Sequence, residues 1–211
     1  MLVDQNILVI SAHSDDGIIG CGGFISKYIK SNNVFYLAFT NSMGGGDRSE
    51  MDNALKELGV KNCELVDYFG YEDKIYRIHD REYHECRQAI LDKMVSLKKI
   101  IKPSIVLCPS SYDTHQDHEV IRKEVFRAFK DITIMGYEFP WNNREFRTDC
   151  FVELSEEDIV NKIRSIKCFK SQEFRKYVGQ AEVYIHSMAV TRGFQIHKSL
   201  AETFEVIRML I

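Results

Sequence analysis

At 211 residues, with 28 basic and 31 acidic side chains and a formal charge of -3, the chain is long enough to bury a full α/β core and has no basic stripe of the kind that tracks a phosphate backbone, which excludes nucleic acid as an expected partner. Its six cysteines stand singly with no Cys-x-x-Cys pair, so neither a thiolate zinc site nor a disulfide framework is indicated and a reducing compartment is expected. The first residues carry no basic region followed by an apolar one, and no segment approaches eighteen continuous apolar residues; a cytoplasmic protein without an integral membrane segment is expected.

The first predicted element is a short, β-branched-rich run, Ile7-Leu8-Val9-Ile10, that stops in His13-Ser14-Asp15-Asp16-Gly17. An apolar run followed by Gly and then a helical pattern reads as the first, buried strand of a parallel α/β sheet. Such sheets bind ligands at the carboxyl ends of their strands. His13 and Asp16 can both bind a divalent metal, and Asp15 beside them is suited to take a proton from a bound water. Gly17, Gly20, Gly22 and Gly23 do not fit the dinucleotide spacing G-x-G-x-x-G and read as points of close backbone packing. Phe24, Ile25, Tyr28 and Ile29 then share one face of a first crossover helix.

A second strand over 34–39 ends in a loop with three glycines. Asp47 and Glu50 have the spacing of a capping box for a helix through Leu58, ended by Gly59. A third strand over 63–68 leads into the polar, aromatic stretch 69–74, and a long helix runs to Ile101, with His79 and His84 as solvated or helix-terminal histidines. Lys102-Pro103 breaks that helix. A fourth apolar strand over 104–109 delivers Asp113-Thr114-His115-Gln116-Asp117-His118. Asp117 and His118 open a helix whose Ile121, Val125 and Phe129 recur at i, i+4, i+8 and point into the core. His118 therefore faces the strand ends, and His115 can share its pocket without both imidazoles binding the metal. Further strands are predicted over 133–138 and 151–154, a helix from Ser155 and Asp158 carrying Ile159, Ile163 and Ile166, and over 184–211 an apolar helix and a last strand or helix around Phe204, Val206 and Ile207. No repeat or linker divides the chain, so a single domain, 1–211, is expected.

The two clusters, Ala12-His13-Ser14-Asp15-Asp16-Gly17 and His115-Gln116-Asp117-His118, resemble the motifs Ala-His-Pro-Asp-Asp-Glu and His-x-Asp-His of the PIG-L/LmbE family of zinc-dependent N-acetylglucosaminyl deacetylases. Supporting matches lie in Arg48-Ser49-Glu50, in Lys162 through Ser171-Gln172, and in Arg192-Gly193 followed by Ala201-Glu202-Thr203-Phe204. The resemblance implies an α/β fold, a Rossmann-like three-layer α/β/α sandwich with a mostly parallel sheet. It implies that His13, Asp16 and His118 hold zinc or another divalent transition metal, that Asp15 is the general base, and that a protonated His115, oriented by Asp117, stabilises the oxyanion. Either Asp15 or His115 then returns a proton to the amine. Arg48 and Asp73, with Glu72 as the alternative to Asp73, match substrate-binding positions; Glu138 and Trp141 are candidates for the wall of a sugar pocket, a core or rim role for Trp141 being equally open. Glu50 reads as a cap, and Lys162 and Gln172 as structural. The implied partner is a small-molecule amino sugar, with a homo-oligomer left open. Ser14 and Gly17 stand where the family has Pro and Glu. Three other readings remain: a magnesium phosphoryl-transfer site built on Asp15 and Asp16, an amidase acting on another N-acyl group, and a non-catalytic sugar-binding member.

Overall fold

The structure, a computed structural model, describes residues 2–40, 48–66, 68–71, 74–77 and 83–210. In chain order the elements are β1 (Asn6–His13), α1 (Asp16–Tyr28), β2 (Asn33–Thr40), α2 (Arg48–Glu57), β3 (Asn62–Leu65), β4 (Tyr68–Tyr71), β5 (Lys74–Arg77), α3 (Arg87–Ile101), β6 (Ile105–Pro109), α4 (Gln116–Ala128), β7 (Thr133–Tyr137), β8 (Cys150–Glu153), α5 (Glu156–Ile166), α6 (Lys176–Gly179), α7 (Ala181–Phe194) and β9 (Ala201–Arg208). Short 3₁₀ turns lie at Tyr83–Cys86 and Lys170–Gln172.

Seven strands form one sheet in the order β3-β2-β1-β6-β7-β9-β8. The first five run parallel; β9 is antiparallel to β7, and β8 is antiparallel to β9. The order reverses between β1 and β6, and a crevice opens beyond the carboxyl ends of strands at such a point. Both faces are covered. Ile7 and Val9 of β1 join one core with Phe24, Leu55 and Ile159, from α1, α2 and α5. Leu8, Ile10 and Ala12 point the other way, into a second core with Ile90 of α3 and Ile121 and Val125 of α4. Period-two alternation inside a continuous apolar run thus feeds two layers at once. Full burial of each such side chain contributes about 1.5–3 kcal/mol. This three-layer, mostly parallel arrangement is the fold class read from the sequence.

Local expectations differ in four places. The glycines after the first motif lie inside α1, which starts at Asp16 and kinks at Cys21 (φ -141°, ψ 25°). At the kink the helix begins again, and its orphan amide groups find a partner: Glu202 of β9 accepts from Gly23 N–H (2.9 Å) and Phe24 N–H (2.6 Å), while Lys162 donates to the same carboxylate (2.7 Å). A Cβ on Gly23 would lie 2.8 Å from that carboxylate, so the helix approaches β9 only as glycine. The third strand ends at Leu65, and the polar stretch after it forms the antiparallel pair β4-β5. The helix predicted to run to Ile101 starts only at Arg87. Asp47 and His79 lie outside the described residues, as do Glu72 and Asp73; Glu50, expected as a cap, reaches across to accept from the Ser171 amide (2.8 Å) and hydroxyl (2.6 Å). The capping box of Ser155 and Asp158 forms as its spacing implies. Among the described residues no helix is long and apolar enough to cross a membrane.

Candidate active site

The apolar run of β1 ends at the switch point, so it delivers His13 there, and α1 opens immediately afterwards with Asp15 at its N-cap and Asp16 in its first turn. Adjacent β6 delivers the second cluster by the same logic, with His115 capping α4 and Asp117 and His118 in its first turn. Asp16 sits at the centre. Its Oδ2 accepts from the His13 amide (2.6 Å) and lies 3.2 Å from both His13 Nδ1 and His118 Nε2. One ligand atom from each of these three residues lies within 4.8 Å of the others. The group can hold a metal ion, and two imidazoles with one carboxylate suit a transition metal at an open catalytic site.

Behind this group stands a residue whose role the sequence reading did not assign. Asp113, with its carboxylate fully buried, accepts from His118 Nδ1 at 2.7 Å and from the His115 amide at 2.8 Å. A carboxylate on the far nitrogen fixes the imidazole's tautomer and turns Nε2 toward Asp16. The available signal was an Asp two residues ahead of His-x-Asp-His, on the loop leaving a buried strand.

Asp117 differs from expectation. Its carboxylate does not orient His115 but meets His13 Nε2 at 3.1 Å, while its backbone amide donates to His115 Nδ1 (3.2 Å). An imidazole that accepts at Nδ1 carries its proton on Nε2 and is neutral. Charge points the same way. Burial, then the positive charges of His118 and His13, push the His115 pKa below its ordinary value. A protonated His115 is therefore not the resting form. His13, His115 and Asp117 make a second group with ligand atoms within 4.8 Å, sharing His13 with the first.

The other two histidines behave oppositely. Burial alone would lower the His13 pKa, but the charge of Asp16 and hydrogen bonds to Asp117 and Asp16 carry it up to about 10. For His118 burial again opposes, and Asp16 and Asp113 carry it to about 9. Asp16, despite a burial that would raise it, is held well below the usual carboxylate range by His118 and His13. At neutral pH the cluster thus holds two imidazolium charges around one carboxylate, the charge of a divalent cation in the same place.

The departure at position 17 now has a physical account, whereas nothing in the structure explains Ser14. A Cβ on Gly17 would come within 2.6 Å of Ser11 Oγ and 2.9 Å of the Tyr36 ring. There is no room for Glu. Instead, the Gly17 amide donates to Ser11 Oγ (2.9 Å) and Tyr36 Oη (3.1 Å), and the Tyr36 hydroxyl donates to the Ser14 carbonyl (3.0 Å). Ser11 and Tyr36 hold the turn from two strands. Tyr83 adds a bond to the Ala12 carbonyl (2.6 Å).

Over the cluster lies a cavity of about 180 Å³ whose floor includes Asp15 and His115 and whose walls include Phe139, Trp141, Gln172 and Arg175. Gln172, expected to be structural, is 2 % exposed and lines this cavity, on the 3₁₀ turn that Glu50 secures; neither it nor Arg175 was read as functional. Trp141 lines the cavity, whereas Glu138 forms a bidentate pair with Arg192 away from it. Lys162 makes its structural pair with Glu202. Arg48 is half-exposed, 3.6 Å from Asp52, and is not part of the cavity wall; Asp73 lies outside the described residues.

Comparison with known proteins agrees with this geometry. Residues 8–129 match the PIG-L family, described as GlcNAc-PI de-N-acetylase. The chain is 30% identical over 182 residues to the uncharacterized deacetylase YaiS of Escherichia coli K12, covering 79% of this chain and 91% of that protein. It shares its fold with the conserved protein TT1542 of Thermus thermophilus (TM-score 0.75, 20% identity, 98% of this chain and 96% of that one). The N,N'-diacetylchitobiose deacetylase of Pyrococcus horikoshii also has this fold (TM-score 0.72, 20% identity, 95% and 83% of the two chains).

Proposed function

The chain belongs to the PIG-L family of de-N-acetylases, and from that premise we propose that it is a zinc-dependent or similar divalent metal-dependent hydrolase that removes the N-acetyl group from an N-acetylglucosamine-type sugar or sugar conjugate. The observation that carries this reading is the convergence of His13, Asp16 and His118 beneath a cavity that Asp15 and His115 also line. A metal bound by the three would supply Lewis-acid polarisation of the acyl carbonyl and acidify a coordinated water.

The rest falls to the chain's own residues. Asp15, nearly buried at the start of α1, accepts the proton of the attacking water. His115 presents Nε2–H to the oxyanion of the tetrahedral adduct; its Nδ1 is tied to the Asp117 amide, so the donor is already aimed. Asp15 then passes the proton it took from water to the departing amine nitrogen as the C–N bond breaks, so His115 keeps its Nε2–H, stays neutral, and the cycle closes. Asp113 and Asp117 act through the histidines they touch. Phe139 and Trp141 exclude water from one side and offer a ring face to the apolar side of a pyranose. Gln172 and Arg175 supply polar contacts for hydroxyl groups.

The magnesium reading is disfavoured because two imidazoles face Asp16, where magnesium would take oxygen ligands. A purely sugar-binding protein has no use for a second buried carboxylate at Asp15, whose desolvation is costly. Acetate release from a panel of N-acetylglucosamine conjugates, measured with zinc-loaded protein and with Asp15→Asn, tests the proposal. We expect release by the wild type and a loss of about 10²- to 10⁴-fold in the variant. Release of a longer acid but not acetate would point to the amidase of the same family. No release from any N-acyl sugar by protein holding one zinc per chain would overturn the reading.

A further inference from the structure

A ladder of rings leads out of the cavity. His118 packs on Phe139 with ring centroids 5.2 Å apart, Phe139 meets Trp141 edge to face at 5.2 Å, and Trp141 meets Tyr184 at 5.4 Å. Trp141 thereby belongs to two concavities. One is the inner cavity of about 180 Å³; the other is a groove of about 480 Å³ lined also by Val183, Tyr184 and Met188 of α7, with Lys176. The groove is apolar because of how α7 is patterned. Ala181, Ile185, Ala189 and Gly193 recur every fourth residue and face the core, while the apolar stripe continues around the helix to Val183, which is 67% exposed.

Size matters here. The inner cavity is smaller than the ~300–1,000 Å³ usual for a small-molecule site, whereas the groove falls within that range. The cavity therefore suits one part of a ligand, and the groove that shares Trp141 with it is apolar. Resting on the deacetylase reading, we propose that the groove receives a hydrophobic aglycone, so that the substrate class is an amino sugar joined to an alkyl or aryl group rather than a free sugar.

The chain has one tryptophan, and it stands where the two spaces meet. Trp141 fluorescence therefore reports occupancy without any turnover. Zinc-loaded protein is titrated with octyl β-glucosaminide, which has no acetyl group to lose, and with glucosamine. The expected result is a saturable blue shift with the octyl compound, at least tenfold tighter than binding of glucosamine. Val183→Asp, at an exposed position that the core does not use, brings the two affinities to within about twofold, and Val183→Leu restores the difference. Equal affinity for both ligands overturns the proposal, as does octyl binding that Val183→Asp leaves unchanged. Phosphatidylcholine vesicles that give the same shift without sugar would assign the groove to a lipid surface instead. Because the readout needs no catalysis, acetate release without a tail preference defeats this proposal alone, while a tail preference without acetate release defeats only the reaction.

Discussion

Helix α1 carries two buried charge clusters about two turns apart, and they are built on opposite plans. At its N-terminus Asp16 faces His13 and His118 under an open cavity; at its kink Glu202 faces Lys162 and two helix amides, beside a void of only about 30 Å³. The second cluster is closed. Its carboxylate is hydrogen-bonded by the Lys162 amino group and by two fixed backbone amides. The first is made of groups that can exchange protons for a metal, and Asp15 and His115 beside it face open space. Buried charge with all its partners in place holds a fold together, and buried charge that leaves titratable groups facing a cavity does chemistry.

Substitution tests that contrast directly. Asp16→Asn should lower turnover on the order of 10⁴-fold, about 5.5 kcal/mol of transition-state stabilisation, with metal per chain falling well below one by elemental analysis. The metal-free variant should also lose stability near neutral pH, where the two imidazolium groups face Asp16, and that loss should fade as pH rises through 9 to 10. Glu202→Ala should instead spare the metal and destabilise the fold at any pH tested. Removing one partner of a buried pair costs roughly 3–5 kcal/mol, read by urea unfolding, while folded protein keeps its metal. A Glu202 variant of full stability would erase the distinction.

Acidity sharpens it further. His13 and His118, with pKa values of about 10 and about 9, keep their protons in the metal-free protein, so metal uptake expels two protons. Apparent metal affinity should rise with pH by up to about 100-fold per unit from pH 7 to 9, measured by competition with a chelator. The metal-free fold responds with the opposite sign. Both groups are raised above their ordinary 6.5, so their stabilisation is complete below about pH 6.5 and is lost as pH rises through 9 to 10. The gap in melting temperature between metal-loaded and chelated protein therefore widens as pH rises.

Two smaller effects probe the supports. Asp113→Asn frees the His118 ring and should weaken metal binding about 10- to 100-fold, with turnover at saturating metal reduced much less. Tyr36→Phe removes the hydroxyl that bonds the Gly17 amide and the Ser14 carbonyl. It should cost about 1–2 kcal/mol of stability and lower turnover a few-fold through the turn that carries Asp15.

Much of this was legible in the sequence, for a physical reason. An apolar run that ends in polar residues names both a buried strand and the residues at its carboxyl end, so β1 with His13 and Asp16, and β6 with His118, could be read together. The cap on α5 was equally plain, because Ser155 and Asp158 bond within one turn. What escaped depends on contacts between distant segments. Asp117 was expected beside its neighbour His115, yet its carboxylate turns to His13, 104 residues away. The glycines of α1 read as points of close packing, as they are, but nothing local announces that they lie inside a helix whose kink Glu202 caps. Gln172 and Arg175 reach the cavity from a distant segment whose 3₁₀ turn Glu50 of α2 ties down through Ser171.

The cap by Glu202 also orders events in time. Every proposed ligand and proton carrier lies before residue 119, yet the helix that presents Asp15 and Asp16 is completed by a residue 178 positions from its partner Phe24. Contacts so remote form late, after the entropy of closing a long loop has been overcome. At a synthesis rate of about 5–20 residues per second, the nascent chain spends several seconds with all its metal-binding side chains made and α1 still uncapped. A fragment ending at residue 129 would thus contain every donor while α1, which presents Asp15 and Asp16, stays uncapped at its kink. A metal bound by His13, Asp16 and His118 is therefore expected to enter after β9 has docked, with maturation of the site following completion of the fold.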